Sequence, residues 1–150
     1  MTNIIPEPSN NQKNFVRASG RTTTVSRLFK ASTAAVEGQA VAWDGTNGWY
    51  TTATNASLEF GILRQTIATT DSDYASTKMV AIEFPVDSSA EWFATTNATP
   101  VTANIGTRYD LTSAGLTVDT GNTTYKQCEI VSIVNASQNR VRVKLYTGTN

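Results

Sequence analysis

The stretch Gln39-Ala40-Val41-Ala42-Trp43-Asp44-Gly45-Thr46-Asn47-Gly48-Trp49-Tyr50 decides how the rest of the chain is read. Bulky Val41 and Trp43 alternate with small Ala40 and Ala42, the period of two expected of a strand that packs closely on one face. Asp44-Gly45 and Asn47-Gly48 supply residues that tolerate positive φ, so the chain reverses direction there. Trp49 and Tyr50 then restart an apolar run. The segment predicts a β-hairpin with an aromatic residue on each arm, with Val41 and Trp43 in the core and Gly45 in the turn. It holds no nucleophile–base pair. Its chemistry is burial and turn geometry.

Working outward, residues 58–62 alternate with Leu58, Phe60 and Ile62 on one face and Gly61 on the other, where another backbone or ring can approach closely. Residues 78–84 place Val80, Ile82 and Phe84 inward before Pro85 stops the ladder. Residues 140–146 close the chain with Val141, Val143 and Leu145 in and Arg140, Arg142 and Lys144 towards solvent. Residues 108–111 and 116–119 flank Ser113-Ala114-Gly115 as a hairpin. Residues 125–134 form a strand whose second half is apolar on both faces, as for a covered central strand. Residues 21–30 read as the first strand, at an edge, and 31–36 as a short turn of helix. In Glu91-Trp92-Phe93-Ala94 the two aromatics cannot share a face, so one of them is either exposed as a contact candidate or packed against a loop. Charged residues are only 16% of the chain and Thr, Ser, Asn and Ala fill the deficit, which favours strands and turns over helices. Many short strands at turn spacings of about ten residues predict an all-β fold, a small β-barrel or sandwich-like body.

Val41-Ala42-Trp43-Asp44-Gly45-Thr46, followed after a gap by Gly61-Ile62-Leu63, resembles the central strand pair of the lambda-type bacteriophage head decoration proteins. Members of that family tend to read as an Ala-Trp-Asp-Gly turn, a Gly-Ile-Leu strand, a polar Thr-rich stretch and another strand. The same order is kept here, with residues 66–77 polar and residues 78–85 as the next strand. The likeness spans about a third of the chain. Residues 51–57 lengthen the loop before Gly61, and residues 99–150 have no counterpart in the family pattern. The resemblance implies a β-tulip-like body, a homotrimer seated at three-fold positions, and a major capsid protein as partner. It also implies a place on the outer surface of the virion capsid, after assembly in the host cytoplasm.

Residues 1–20 read as an extended N-terminal arm and residues 21–150 as a single β-rich body. The first nineteen residues carry two prolines and a polar run, too little apolar surface to offset their own ordering entropy. Ile4, Ile5, Phe15 and Val16 are the anchors with which such an arm could grip a partner, and Lys13, Arg17 and Arg21 its charges. Net charge is zero, yet Lys13, Arg17, Arg21, Arg27 and Lys30 face Glu7 alone in the first thirty residues. A basic arm on an acidic body favours an acidic protein surface. Nucleic acid ranks lower, because the positive charges are dispersed and not interleaved with several aromatics.

The chain has no histidine, which removes the usual general base, the usual zinc ligand and the Ser-His and Cys-His nucleophile pairs. Cys128 is the only cysteine, so no intrachain disulfide forms, and strand composition around it predicts a buried structural thiol. Asp71-Ser72-Asp73 opens like a calcium loop, but Ser76 stands where glycine is needed and Ile82 where the bidentate glutamate should be. Asp44, Glu59, Glu83 and Asp110 could serve a glycosidase only if the fold paired two of them across a cleft. No apolar run approaches the ~20 residues that cross a bilayer. These exclusions point to a non-enzymatic protein that needs no metal or cofactor and binds no membrane, and the resemblance implies a decoration or cement protein that reinforces a capsid. The alternatives are a tail, fibre or baseplate module, and a carbohydrate-binding β-module that stacks sugars on Trp49, Tyr50 or Trp92.

Overall fold

The structure, a computed structural model, describes residues 15–46, 49–52, 54 and 59–147. It is all-β, and its strands form two layers. In chain order the strands are β1 (Val16–Ser19), β2 (Thr22–Phe29), β3 (Ala40–Trp43), β4 (Trp49–Thr51), β5 (Phe60–Leu63) and β6 (Lys78–Pro85). They continue as β7 (Glu91–Thr95), β8 (Arg108–Leu111), β9 (Val118–Asp119), β10 (Cys128–Asn135) and β11 (Arg140–Leu145). One layer is a closed barrel in the order β2-β4-β3-β5-β6; the other is a six-stranded sheet in the order β1-β7-β11-β10-β8-β9. Barrel and sandwich, the two predicted alternatives, are both present. The barrel packs against the sheet.

The wall between the layers is β3 with β5. Ala40 pairs with Ile62, Val41 with Gly61 and Ala42 with Phe60. Side chains alternate across a strand, so Ala40, Ala42, Phe60 and Ile62 face the sheet while Val41 and Leu63 face the barrel interior. Each cross-strand pair sets a small residue against a large one, which keeps the wall thin enough to serve two cores. The core between the layers adds Phe15, Trp92, Ala94, Leu111, Ile130, Val141, Val143 and Leu145. The barrel core adds Phe29, Tyr50, Val80 and Ile82, with Trp43 and Phe84 packed at its margin. Fully burying one such side chain stabilises by about 1.5–3 kcal/mol.

Several expectations hold. The β3–β4 hairpin forms, pairing Trp43 with Tyr50, and Gly45 takes a φ of 84° with no atom near its missing Cβ. A Cβ on Gly61 would stand 2.5 Å from Ile82 Cγ2 and 2.8 Å from Phe84 Cε1, the close approach the sequence anticipated. Val80, Ile82, Val141, Val143 and Leu145 are buried, and β8 and β9 form a hairpin.

Other expectations are corrected. Residues 31–36 form no helix: the chain turns at Ala31-Ser32, and Ala35 bridges to Ile67. Trp43 is half-buried at the barrel rim, because the alternation that buries Val41 at mid-wall carries it to the end of the strand. Of the two alternatives for Trp92 and Phe93, exposure is ruled out and packing holds, at 0% and 5% exposed. Trp92 enters the core between the layers, and Phe93 on the opposite face lies beneath the guanidinium groups of Arg140 and Arg142, 6.0 and 5.8 Å from its ring centre. That contact also corrects the outward row on β11: Arg140 is only 3% exposed. The second half of β10 is central in the sheet yet only half-buried, since β8 pairs with it at Cys128 and Glu129 alone. Leu58 lies outside the described residues.

The arm is corrected most. Phe15 is fully buried in the core of its own chain, and β1 pairs antiparallel with β7, setting Val16 against Phe93 and Arg17 against Trp92. The described part of the predicted arm therefore belongs to the body. Gly20, at φ 84° and packed against the Ser89 backbone, turns the chain from the sheet into the barrel.

Candidate interaction surfaces

Of the residues predicted to grip a partner, Ile4, Ile5 and Lys13 lie outside the described residues. Phe15 is a core residue. Arg17 lies 4.0 Å from the buried Glu83, which also accepts a 2.6 Å hydrogen bond from Thr22 Oγ1 and lies 3.8 Å from Arg64. Arg64 in turn lies 3.8 Å from Glu37. Of these contacts, Arg17 to Glu83 joins β1 of the sheet to β6 of the barrel, and the others lie within the barrel. Arg142 does similar work on the outer face of the sheet, 3.1 Å from Glu91 and donating to Ser19 Oγ at 2.8 Å. Among the described residues of that set, Val16 is half-buried and Arg21 stays available, 77% exposed and 4.0 Å from an exposed Asp87, a screened contact of little energy.

The carboxylates weighed for catalysis have structural partners. Asp44 Oδ1 accepts from the Thr46 N–H, fixing the turn. The buried Asp110 accepts from the N–H groups of Tyr125 and Lys126 at 2.6 and 2.8 Å, where Lys126 takes a positive φ. Lys78 Nζ donates to Asp73 at 2.6 Å and lies 3.5 Å from Asp71, which lowers the Asp73 pKa through the hydrogen bond from Lys78. An ammonium thus takes the place a calcium ion would need. No group of three metal-ligating side chains occurs among the described residues. Cys128 is fully buried, and desolvation, with the Asp110 charge secondary, pushes its thiol pKa far up. Such a thiol is inert.

Tyr50 and Trp92 are both fully buried, so neither offers a sugar-stacking platform, a correction to that alternative. The side chain of Trp49 lies outside the described residues.

The sequence did not reveal a slot in the barrel wall. Strand β4 pairs with β2 only at Leu28 and Phe29, so below that level β2 has no neighbour on this side among the described residues. A groove of about 340 Å³ opens there, lined by Thr23, Val25, Arg27, Glu59, Phe84 and Thr147. Pro85 and Thr147 continue it into a second groove of about 280 Å³ beside Val86, Leu145 and Tyr146. Thr147 Oγ1 bonds both the N–H and the C=O of Phe60, tying the segment after β11 to the slot's rim. Arg27 stacks 5.8 Å from the centre of the Phe84 ring, so the slot is apolar at its base with a cation on one lip. The available signal was length: a three-residue β4 cannot cover an eight-residue β2.

The chain matches no family model, no curated protein and no solved structure.

Proposed function

We propose that this is a non-enzymatic structural protein of a bacteriophage virion that binds the outside of the capsid and reinforces it. The observation that carries the proposal is the position of the two family-like segments. Residues 41–43 and 61–63 lie on adjacent strands β3 and β5, in the wall shared by both cores, and residues 44–46 carry β3 into its turn. The likeness therefore falls on one spatial unit that organises the fold. A rigid β-body also suits a clamp, since a shell is reinforced only by a subunit that deforms less than the joint it bridges. The partner is the major capsid protein and the working form a homotrimer, both as the resemblance implies.

The test is co-sedimentation with capsid shells assembled from the major capsid protein of the same phage. Saturable binding at a fixed ratio to capsid subunits is expected, and light scattering of the free protein should give the mass of a trimer. Binding to tails but not to shells would favour the tail or baseplate alternative.

A further inference from the structure

We propose that the open edge of β2, over residues 22–27, is a docking site for an extended acidic strand of a partner protein, added to the barrel through main-chain hydrogen bonds. Two hydrogen bonds fix which backbone groups point outward. Lys30 N–H donates to Tyr50 C=O on the β4 side, and Val86 N–H donates to Arg21 C=O on the β6 side. Backbone direction alternates along a strand, so residues 23, 25 and 27 bond β6 while Thr22, Thr24 and Ser26 direct their N–H and C=O groups into the slot. Among the described residues these groups have no backbone partner; Ser26 C=O receives only its own neighbour's Arg27 guanidinium, at 3.2 Å.

Folded proteins blunt such edges with proline, bulges, inward charges or a covering loop. Here the strand runs without a bulge along β6 for all eight residues, and its outward positions are Thr and Ser. The slot face supplies the specificity. Thr23 and Val25 line an apolar floor with Phe84, while Arg27 and Arg21 stand at the two ends of the same face. An added strand needs apolar residues opposite Val25 and Thr23 and acidic ones opposite Arg27 and Arg21. Glu59 lies on the far wall and keeps the acidic positions on the β2 side.

A second copy of this chain fits poorly. Two β2 edges pairing antiparallel through all three outward residues would set Thr24 opposite Thr24 and Arg21 directly opposite Arg27, twice. Like charges directly opposed across a strand pair are destabilising. The proposal does not depend on which assembly the protein joins.

The probe is the blocked heptapeptide Asp-Thr-Val-Thr-Val-Thr-Asp, with the Lys-for-Asp peptide as comparator, read by residue-resolved amide hydrogen exchange on the full chain. Without peptide, the amides of Thr22, Thr24 and Ser26 should exchange fast and those of Thr23, Val25 and Arg27 slowly. The acidic peptide should slow the first three, and the lysine peptide should bind roughly tenfold more weakly. Thr24→Pro should abolish binding without loss of fold, because the lost N–H faces away from β6. Should that variant fail to fold, Arg27→Glu should bring the two peptides to equal affinity or reverse their order. No slowing by the acidic peptide, or equal binding of both peptides by the unmodified chain, would overturn the proposal. So would protection of the three amides in the free protein: if it grows with concentration the edge belongs to a second copy, and if it does not, to the chain itself.

Discussion

Gly61 and Trp92 show how little slack the two cores leave. The Cβ of an alanine at 61 would meet Ile82 and Phe84 on the adjacent strand β6, and neither can retreat without disturbing Leu63 or Tyr50. Gly61→Ala should therefore cost about 1–3 kcal/mol, the usual penalty of overpacking, measured by urea unfolding. Trp92 fills the core between the layers, so Trp92→Ala should cost about 3–5 kcal/mol. Trp43, half-buried at the rim, should cost less than half as much when cut to alanine in the same assay. Equal losses at 43 and 92 would mean that the rim is as closed as the centre. Cys128 adds a pH dependence. Its thiol pKa is raised in the fold from an ordinary value of 9.0, so its stabilising contribution is whole below pH 9 and declines above it, as only the unfolded chain ionises. Relative to Cys128→Ala, the native chain should lose roughly 1.4 kcal/mol per pH unit above 9. Denaturant titrations at pH 8 and pH 10 on both proteins would check this.

Among the elements, β1 departs furthest from the sequence-based expectation. Phe15→Ala should destabilise the free protein by about 3–5 kcal/mol, because Phe15 belongs to the core of its own chain. Removing residues 1–19 should lower the melting temperature, since it also strips β7 of a neighbour. An unchanged melting temperature after that deletion would restore the picture of an arm independent of the body. The sequence hid this for a physical reason: one phenylalanine in a polar, proline-containing stretch has no periodicity, and only the pairing of Val16 with Phe93 shows where it goes. Strands β3, β5, β6 and β11 were legible because alternation survives in each. What alternation does not disclose is that both faces of a strand can be cores. Ala40 and Ala42 read as the quiet face of β3, yet they are the face against which Trp92 and Val141 pack as part of one core. Arg140 and Arg142 read as solvent-facing for a similar reason, since their cover over Phe93 depends on β7 lying beside β11. The slot at β2 was illegible because it arises from a missing neighbour, and no residue of β2 records that β4 is short.

For the molecule as a whole, the described barrel and sheet share one thin wall, so moving one layer against the other would open a core, which makes their joint stiff. That stiffness is what reinforcement of a shell asks of a bound subunit, and it ties the fold to the proposed role. Many copies on one shell would also let modest single-site affinities add up to firm attachment. The most direct measurement is the temperature at which capsid shells open, followed by release of their packaged DNA, with increasing amounts of the protein added. The opening temperature should rise with occupancy and level off when the sites are filled. An opening temperature that stays constant although the protein is bound, or a protein that does not bind shells at all, would contradict a reinforcing role.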